Sequence, residues 1–133
     1  MTDTTSASKV VCLVGHCGPD SSFLRMAVST ALPGSTVTMA DTDDELRDAI
    51  QNGVDLMLFN RVLEVGFNDT DGIGMLRNVK QSNPNLAVMM VSNYADAQQK
   101  AEAAGAVPGF GKSEIGSSKV TDRIRDAVGV VPA

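Results

Sequence analysis

The sequence predicts a doubly wound α/β domain, with a five-stranded parallel sheet and helices on both faces. Short apolar runs alternate with amphipathic stretches at helical spacing, and turn residues separate the two kinds of segment. The runs are continuous rather than alternating with polar residues, as strands covered on both faces should be. With 133 residues and 43% apolar content, the chain can bury one real core and is too short for two domains.

Val10–Val14 is apolar, rich in β-branched residues and ends at Gly15, which defines the first strand. Residues 20–32 follow as a helix, because Phe23, Leu24, Ala27, Val28 and Ala31 share one side and Pro33-Gly34 stops it. A short second strand covers 37–40. Asp41 and Thr42 can cap the next helix, whose first turn carries Asp43, Asp44 and Glu45 at the positive end of its dipole. Leu46, Ala49 and Ile50 face inward, and Asn52-Gly53 closes the helix. Residues 56–59 form the third strand. The loop 61–71 runs to about a dozen residues, long for such a connection and therefore a functional candidate. Ile73, Leu76 and Val79 give 72–81 an inward face before Asn83-Pro84, and Ala87–Val91 is the fourth strand. Small residues make a helix of 95–104, ended by Gly105. Residues 107–111 are a weak fifth strand, broken by Pro108 and two glycines and suited to a sheet edge. The last helix, about 116–128, turns Val120, Ile124 and Val128 inward. On this reading 1–8 is a disordered tail, 9–128 the domain and 129–133 a short C-terminal tail.

Composition narrows the function. A net charge of −5, one Tyr, no Trp and scattered basic residues argue against a nucleic-acid surface; Lys112, Lys119, Arg123 and Arg125 are the one loose basic group. No apolar run approaches the roughly 18 residues that span a bilayer, and the polar start is unlike a signal peptide. A cytoplasmic protein without membrane contact is expected. Cys12 and Cys17 lie too close together in one strand-and-turn stretch to bridge easily, in keeping with a reducing compartment. Met57, Met89 and Met90 read as core filling, and the acidic run from Asp41 to Glu45 as a solvated helix start.

In a sheet of this kind the functional crevice lies at the carboxyl ends of the strands. Gly15, His16, Asn60, Ser92 and Lys112 all follow strand ends. Together with DLMLFN at the third strand, Asp71-Gly72 before a helix, VSNYADA at the fourth strand and AEAAGAVPGFGK before the last helix, they resemble the receiver domain of response regulators. This is the CheY-like module of two-component signalling, and the resemblance runs from about Lys9 to Val128. It implies the strand order 2-1-3-4-5. Receivers carry a nucleophilic aspartate after strand three, an acidic pair for Mg²⁺ after strand one, a Ser or Thr after strand four and a lysine after strand five.

Carried over position by position, the resemblance places Asn60 at the nucleophile, Gly15 and His16 at the acidic pair, Ser92 at the hydroxyl and Lys112 at the lysine. Ser113 stands where a proline usually follows the lysine, and Gly109 where an aromatic switch residue usually stands. The loop after Asn60 is longer than the family's. An amide is a poor nucleophile toward phosphorus, and Gly15 and His16 offer no carboxylate to Mg²⁺. Asp55 lies roughly 16 Å back along the strand, and Glu64, Asp69 and Asp71 lie on the long loop, poorly placed to rebuild a metal site. No cofactor, no metal and no catalytic residue is expected. The implied protein is a stand-alone, degenerate receiver that binds a protein partner, a histidine kinase or another signalling protein, without phosphorylation. Its expected partner face is Tyr94, Ala97, Lys100, Ala101 and Phe110, on the helix 95–104 and the strand after it.

Asn60 either has drifted or satisfies neighbouring polar groups as an uncharged donor and acceptor. Lys112 is expected to bond Asn60 or Ser92, or to reach water, and Ser92 is a strand-end cap or a sensor. The alternative is a small-ligand or metal-binding domain using the His16-Cys17 turn and the long loop; two adjacent residues fall well short of a metal-ligand set. A cobalamin motif, Asp-x-His-x-x-Gly, fails at Val14 and Pro19.

Overall fold

A computed structural model describes residues 9–63, 66–68 and 70–129. Both expected tails, apart from Gly129, and the loop acids Glu64 and Asp69 lie outside the described residues. The elements run β1 (Val10–Val14), α1 (Gly18–Ala31), β2 (Thr36–Ala40), α2 (Asp43–Asn52), β3 (Leu56–Asn60), α3 (Gly72–Ser82), β4 (Ala87–Val91), α4 (Ala95–Ala103), β5 (Val107–Phe110) and α5 (Ser118–Val128), with a 3-10 turn at Lys112–Glu114. The strands form one parallel sheet in the order β2-β1-β3-β4-β5.

Strand periodicity sorts side chains onto two cores. Val11, Leu13, Leu56, Leu58, Met89 and Val91 face α1 and α5, where Leu24, Val28, Val120 and Ile124 cover them. Cys12, Val14, Met57, Phe59, Val88 and Met90 face the other way, beneath Leu46 of α2, Leu76 and Val79 of α3 and Ala101 of α4. Both cysteines are free thiols, and burial pushes the Cys12 thiol up. No helix among the described residues is long and apolar enough to cross a membrane.

The helix ends follow local chemistry. Thr42 caps α2 by accepting from the Glu45 amide at 3.1 Å, while Glu45 Oε1 accepts from the Asp41 amide at 2.7 Å. Asp71 caps α3 through the Ile73 amide at 3.1 Å. Helix α1 starts earlier than its apolar pattern implies, because Pro19 suits a first helical turn. Helix α5 starts later, at Ser118, because Gly116 has a φ of +100° and cannot continue a helix. Phe23 departs from expectation more sharply: it is 56% exposed, on the flank of a buried stripe set by Leu24, Ala27, Val28 and Ala31.

Strand β5 is an edge strand and carries a bulge. Met89 pairs with Val107 and Val91 with Phe110, so one residue of β4 stands against two of β5. Phe110 thereby enters the α1/α5 core.

The loop between β3 and α3 is not a solvated excursion. Val62 and Asp71 form an antiparallel bridge, and Leu63 and Phe67 are buried against the core under α2 and α3. Gly72 makes the close approach possible, since a Cβ there would lie 1.8 Å from the Asn60 carbonyl oxygen. Gly72→Ala is expected to lower stability by about 1–3 kcal/mol through this backbone contact, against about 1 kcal/mol for the cap loss in Thr42→Ala. Urea denaturation of both variants checks the order.

Candidate functional site

The carboxyl ends of β1, β3, β4 and β5 converge, as expected, on Gly15, His16, Asn60, Ser92 and Lys112. A crevice of about 330 Å³ opens there, lined by Asn60, Arg61, Val62, Ser92, Tyr94 and Lys112 among others. Gly15 and His16 lie beside it but do not line it.

Asn60 sits at the last position of β3. Its Nδ2 donates to the Gly15 carbonyl at 3.1 Å and to the Val62 carbonyl at 2.8 Å. Both neighbours are acceptors, so the nitrogen end of the amide must face them. A carboxylate here would set oxygen against oxygen twice. Of the two sequence readings of Asn60, the geometry matches the structural one.

Gly15 has a φ of +70°, and a Cβ on it would lie 2.5 Å from Leu63 Cδ2 and 3.2 Å from Leu63 Cα. The loop after β3 therefore fills the space that a side chain at 15 would enter. His16 is 3% exposed, and its Nε2 lies 2.8 Å from the Leu58 carbonyl oxygen, so Nε2 carries the proton and donates. Nδ1 is buried without a hydrogen-bond partner. Burial holds the imidazole pKa down to about 4, with the Lys112 charge acting in the same direction. The ring is neutral at pH 7. Cys17, next in sequence, is exposed, so the two residues of the suggested ligand pair face different environments.

Lys112 bonds neither Asn60 nor Ser92. Its Nζ pairs with Asp20 Oδ2 at 2.8 Å, and this contact holds the Asp20 carboxyl below the usual range. The reason is positional: the first turn of α1 puts Asp20 beside the β5 end, within reach of a lysine stem. Ser92 Oγ accepts from the Tyr94 amide at 3.2 Å, which makes it a cap of the turn leading to α4. Across the mouth, the Arg61 guanidinium stacks over the Tyr94 ring, 5.1 Å from its centroid.

The expected partner face needs correction. Ala97, Ala101 and Phe110 are 2%, 0% and 1% exposed, because α4 turns its alanines to the sheet and the β5 bulge turns Phe110 into the core. Tyr94 and Lys100 remain exposed, and Arg61 and Val62 join Tyr94 at the surface.

This architecture is the receiver-domain fold of response regulators. The chain superposes on the signal receiver domain of the DNA binding response regulator protein (merR) from Colwellia psychrerythraea 34H with a TM-score of 0.75 and 16% identity, over 92% of this chain and 99% of that one. The receiver domain of NtrX from Brucella abortus matches at a TM-score of 0.70 and 21% identity, over 92% and 100% of the two chains. That of the Francisella response regulator 1452 matches at 0.69 and 16%, over 91% and 96%. No protein-family model matches the chain, and no curated protein matches it by sequence. At these identities the likeness is one of fold.

The Mg²⁺ implied by that fold does not fit the residues present. Gly15 offers no ligand, His16 spends Nε2 as a donor, and Asn60 turns its Nδ2 to carbonyls. Among the described residues no group of three or more His, Cys, Asp or Glu could hold a metal ion.

Sequence reasoning missed Asp20, Leu63 and Arg61. Signals for two of them were present: Asp20 is an acid in the first turn of a helix that borders the crevice, and Leu63 is an apolar residue within the long loop.

His16 gives the site a pH signature. Unfolded, the ring titrates near 6.5; folded, near 4, so the unfolded chain binds more protons between these values and stability falls as pH drops through the window. From pH 7 to pH 5 the loss is about 2 kcal/mol. The depressed Asp20 and Glu114 carboxyls give up their contributions only at lower pH. His16→Gln, which keeps a donor for Leu58, is expected to flatten the slope in urea midpoints measured at pH 7 and pH 5.

Proposed function

We propose that the domain is a receiver-fold module of two-component signalling that presents a fixed protein-contact surface and accepts no phosphoryl group. The Asn60 amide, committed as a donor to the Gly15 and Val62 carbonyls, carries this reading. Phosphoryl transfer to a receiver needs a carboxylate oxygen to attack phosphorus and a cation to neutralise the developing charge. Position 60 holds an amide that braces the backbone instead, and the place of the acidic pair is taken by Gly15 under Leu63 and by a neutral, buried His16.

What remains is a surface. Tyr94 is 60% and Val62 54% exposed, Arg61 stacks on Tyr94, and Lys100 lies exposed on α4. An exposed aromatic held by a guanidinium beside an aliphatic side chain has the composition of a binding hot spot. The partner is a protein of the signalling system, a histidine kinase or another component. The crevice cations are already engaged, Lys112 by Asp20 and Arg61 by Tyr94, which disfavours capture of a free anion.

Incubation with Mg²⁺ and a small phosphodonor such as acetyl phosphate should leave the intact mass of the wild type unchanged. Asn60→Asp should also stay unmodified and lose about 1–3 kcal/mol of stability from unsatisfied carbonyls; a phosphoryl adduct on either protein would overturn the reading. Tyr94→Ala should weaken binding of a protein captured by the wild type by about 30-fold, the scale of a hot-spot residue. Unaltered affinity would move the contact elsewhere.

A further inference from the structure

Gln98 lies on the side of α4 that faces the β4–β5 edge. Its Nε2 is 3.0 Å from the Met90 carbonyl oxygen, 3.1 Å from that of Ser92 and 3.2 Å from that of Phe110. One amide nitrogen thus reaches both strands at the bulge. Met90 is the residue of β4 that the bulge leaves opposite Pro108 and Gly109, where regular pairing is interrupted.

Gly109 belongs to the same arrangement. A Cβ at 109 would lie 2.1 Å from the Met90 carbonyl oxygen and 2.7 Å from Gln98 Oε1. The Gln98 amide therefore occupies the space beside β5 that a side chain at 109 would need. From the other side, Arg123 Nη1 of α5 donates to the Gly109 carbonyl at 2.6 Å. Helices α4 and α5 each send one donor into the bulge, and the groove above it, about 540 Å³, runs between them.

We infer that Gln98 is a conformational lock, a positioning residue that fixes α4 in one register on the sheet and presets the surface α4 carries. The inference deepens the fixed-surface reading above and rests on it. The lock is specific to an amide. A carboxylate would face three carbonyl oxygens, and an apolar side chain of equal length would fill the space and leave the Ser92 carbonyl short of a donor. Two hydrogens shared among three acceptors hold the helix against translation along the strands as well as against lifting off them.

The test is hydrogen exchange on the full chain, which needs neither a partner nor a phosphodonor. The Ser92 amide bonds the Phe110 carbonyl at 3.0 Å and the Tyr94 amide bonds Ser92 Oγ, so both report on the β4–β5–α4 junction. In Gln98→Met, which keeps length and bulk, these amides should exchange about tenfold faster or more, while those of β1 hold their rates. Gln98→Glu should behave like Gln98→Met or worse above the carboxyl pKa and regain protection as the carboxyl is protonated. The lock is overturned if Gln98→Met protects the junction as well as the wild type does, or if all strands speed up together, since either result reduces Gln98 to packing. A phosphoryl adduct at position 60 would remove the fixed-surface reading and leave these exchange rates unaffected, so the two claims fail separately.

Discussion

Carbonyl oxygens at and near the carboxyl ends of parallel strands lack a full set of ladder donors, and buried acceptors must find them elsewhere. This chain meets that need with side-chain N–H groups. Asn60 serves Gly15 and Val62, His16 serves Leu58, Gln98 serves Met90, Ser92 and Phe110, and Arg123 serves Gly109. The end of the sheet that would be an acceptor-rich cradle for a cation is instead stitched by donors. Apart from Arg123 these donors are neutral, the buried imidazole among them, and so add no uncompensated charge, which the low polarity around His16 would penalise.

Architecture was legible because it depends on patterns that a single chain displays. Continuous apolar runs mark strands covered on both faces, and such runs at Val10–Val14, Leu56–Phe59 and Ala87–Val91 became the three central strands, the second of them extended by Asn60. Capping chemistry at Thr42 marked the start of α2 to the residue. The convergence of Gly15, Asn60, Ser92 and Lys112 followed from topology alone, since every residue after a parallel strand lies at the same end of the sheet.

Contacts across the crevice were less legible, because they depend on side-chain reach and loop path. Lys112 could be placed at the crevice but not given its partner: Asp20 lies far away in sequence and nothing local links the two. The loop after β3 read as a functional candidate on length, although Leu63 and Phe67 were apolar and ended buried. The partner face was carried over element by element from the receiver resemblance, which does not say which side of α4 lies outside. Ala97 and Ala101, four residues apart, were the stripe that packs inward. A bulge in β5, invisible in composition, decided the orientation of Phe110.

The contact between Gly15 and Leu63 closes position 15 to single substitutions. With Leu63 in place and φ at +70°, an acidic side chain at 15 meets both steric exclusion and an unfavourable backbone. The loop must first be rebuilt, and rebuilding it withdraws the Val62 carbonyl that the Asn60 amide now braces. Positions 15, 60 and 63 are thus epistatic: the fitness of a residue at one depends on the other two. Substituting these positions one at a time therefore passes through less stable combinations, so the order of changes is set by packing.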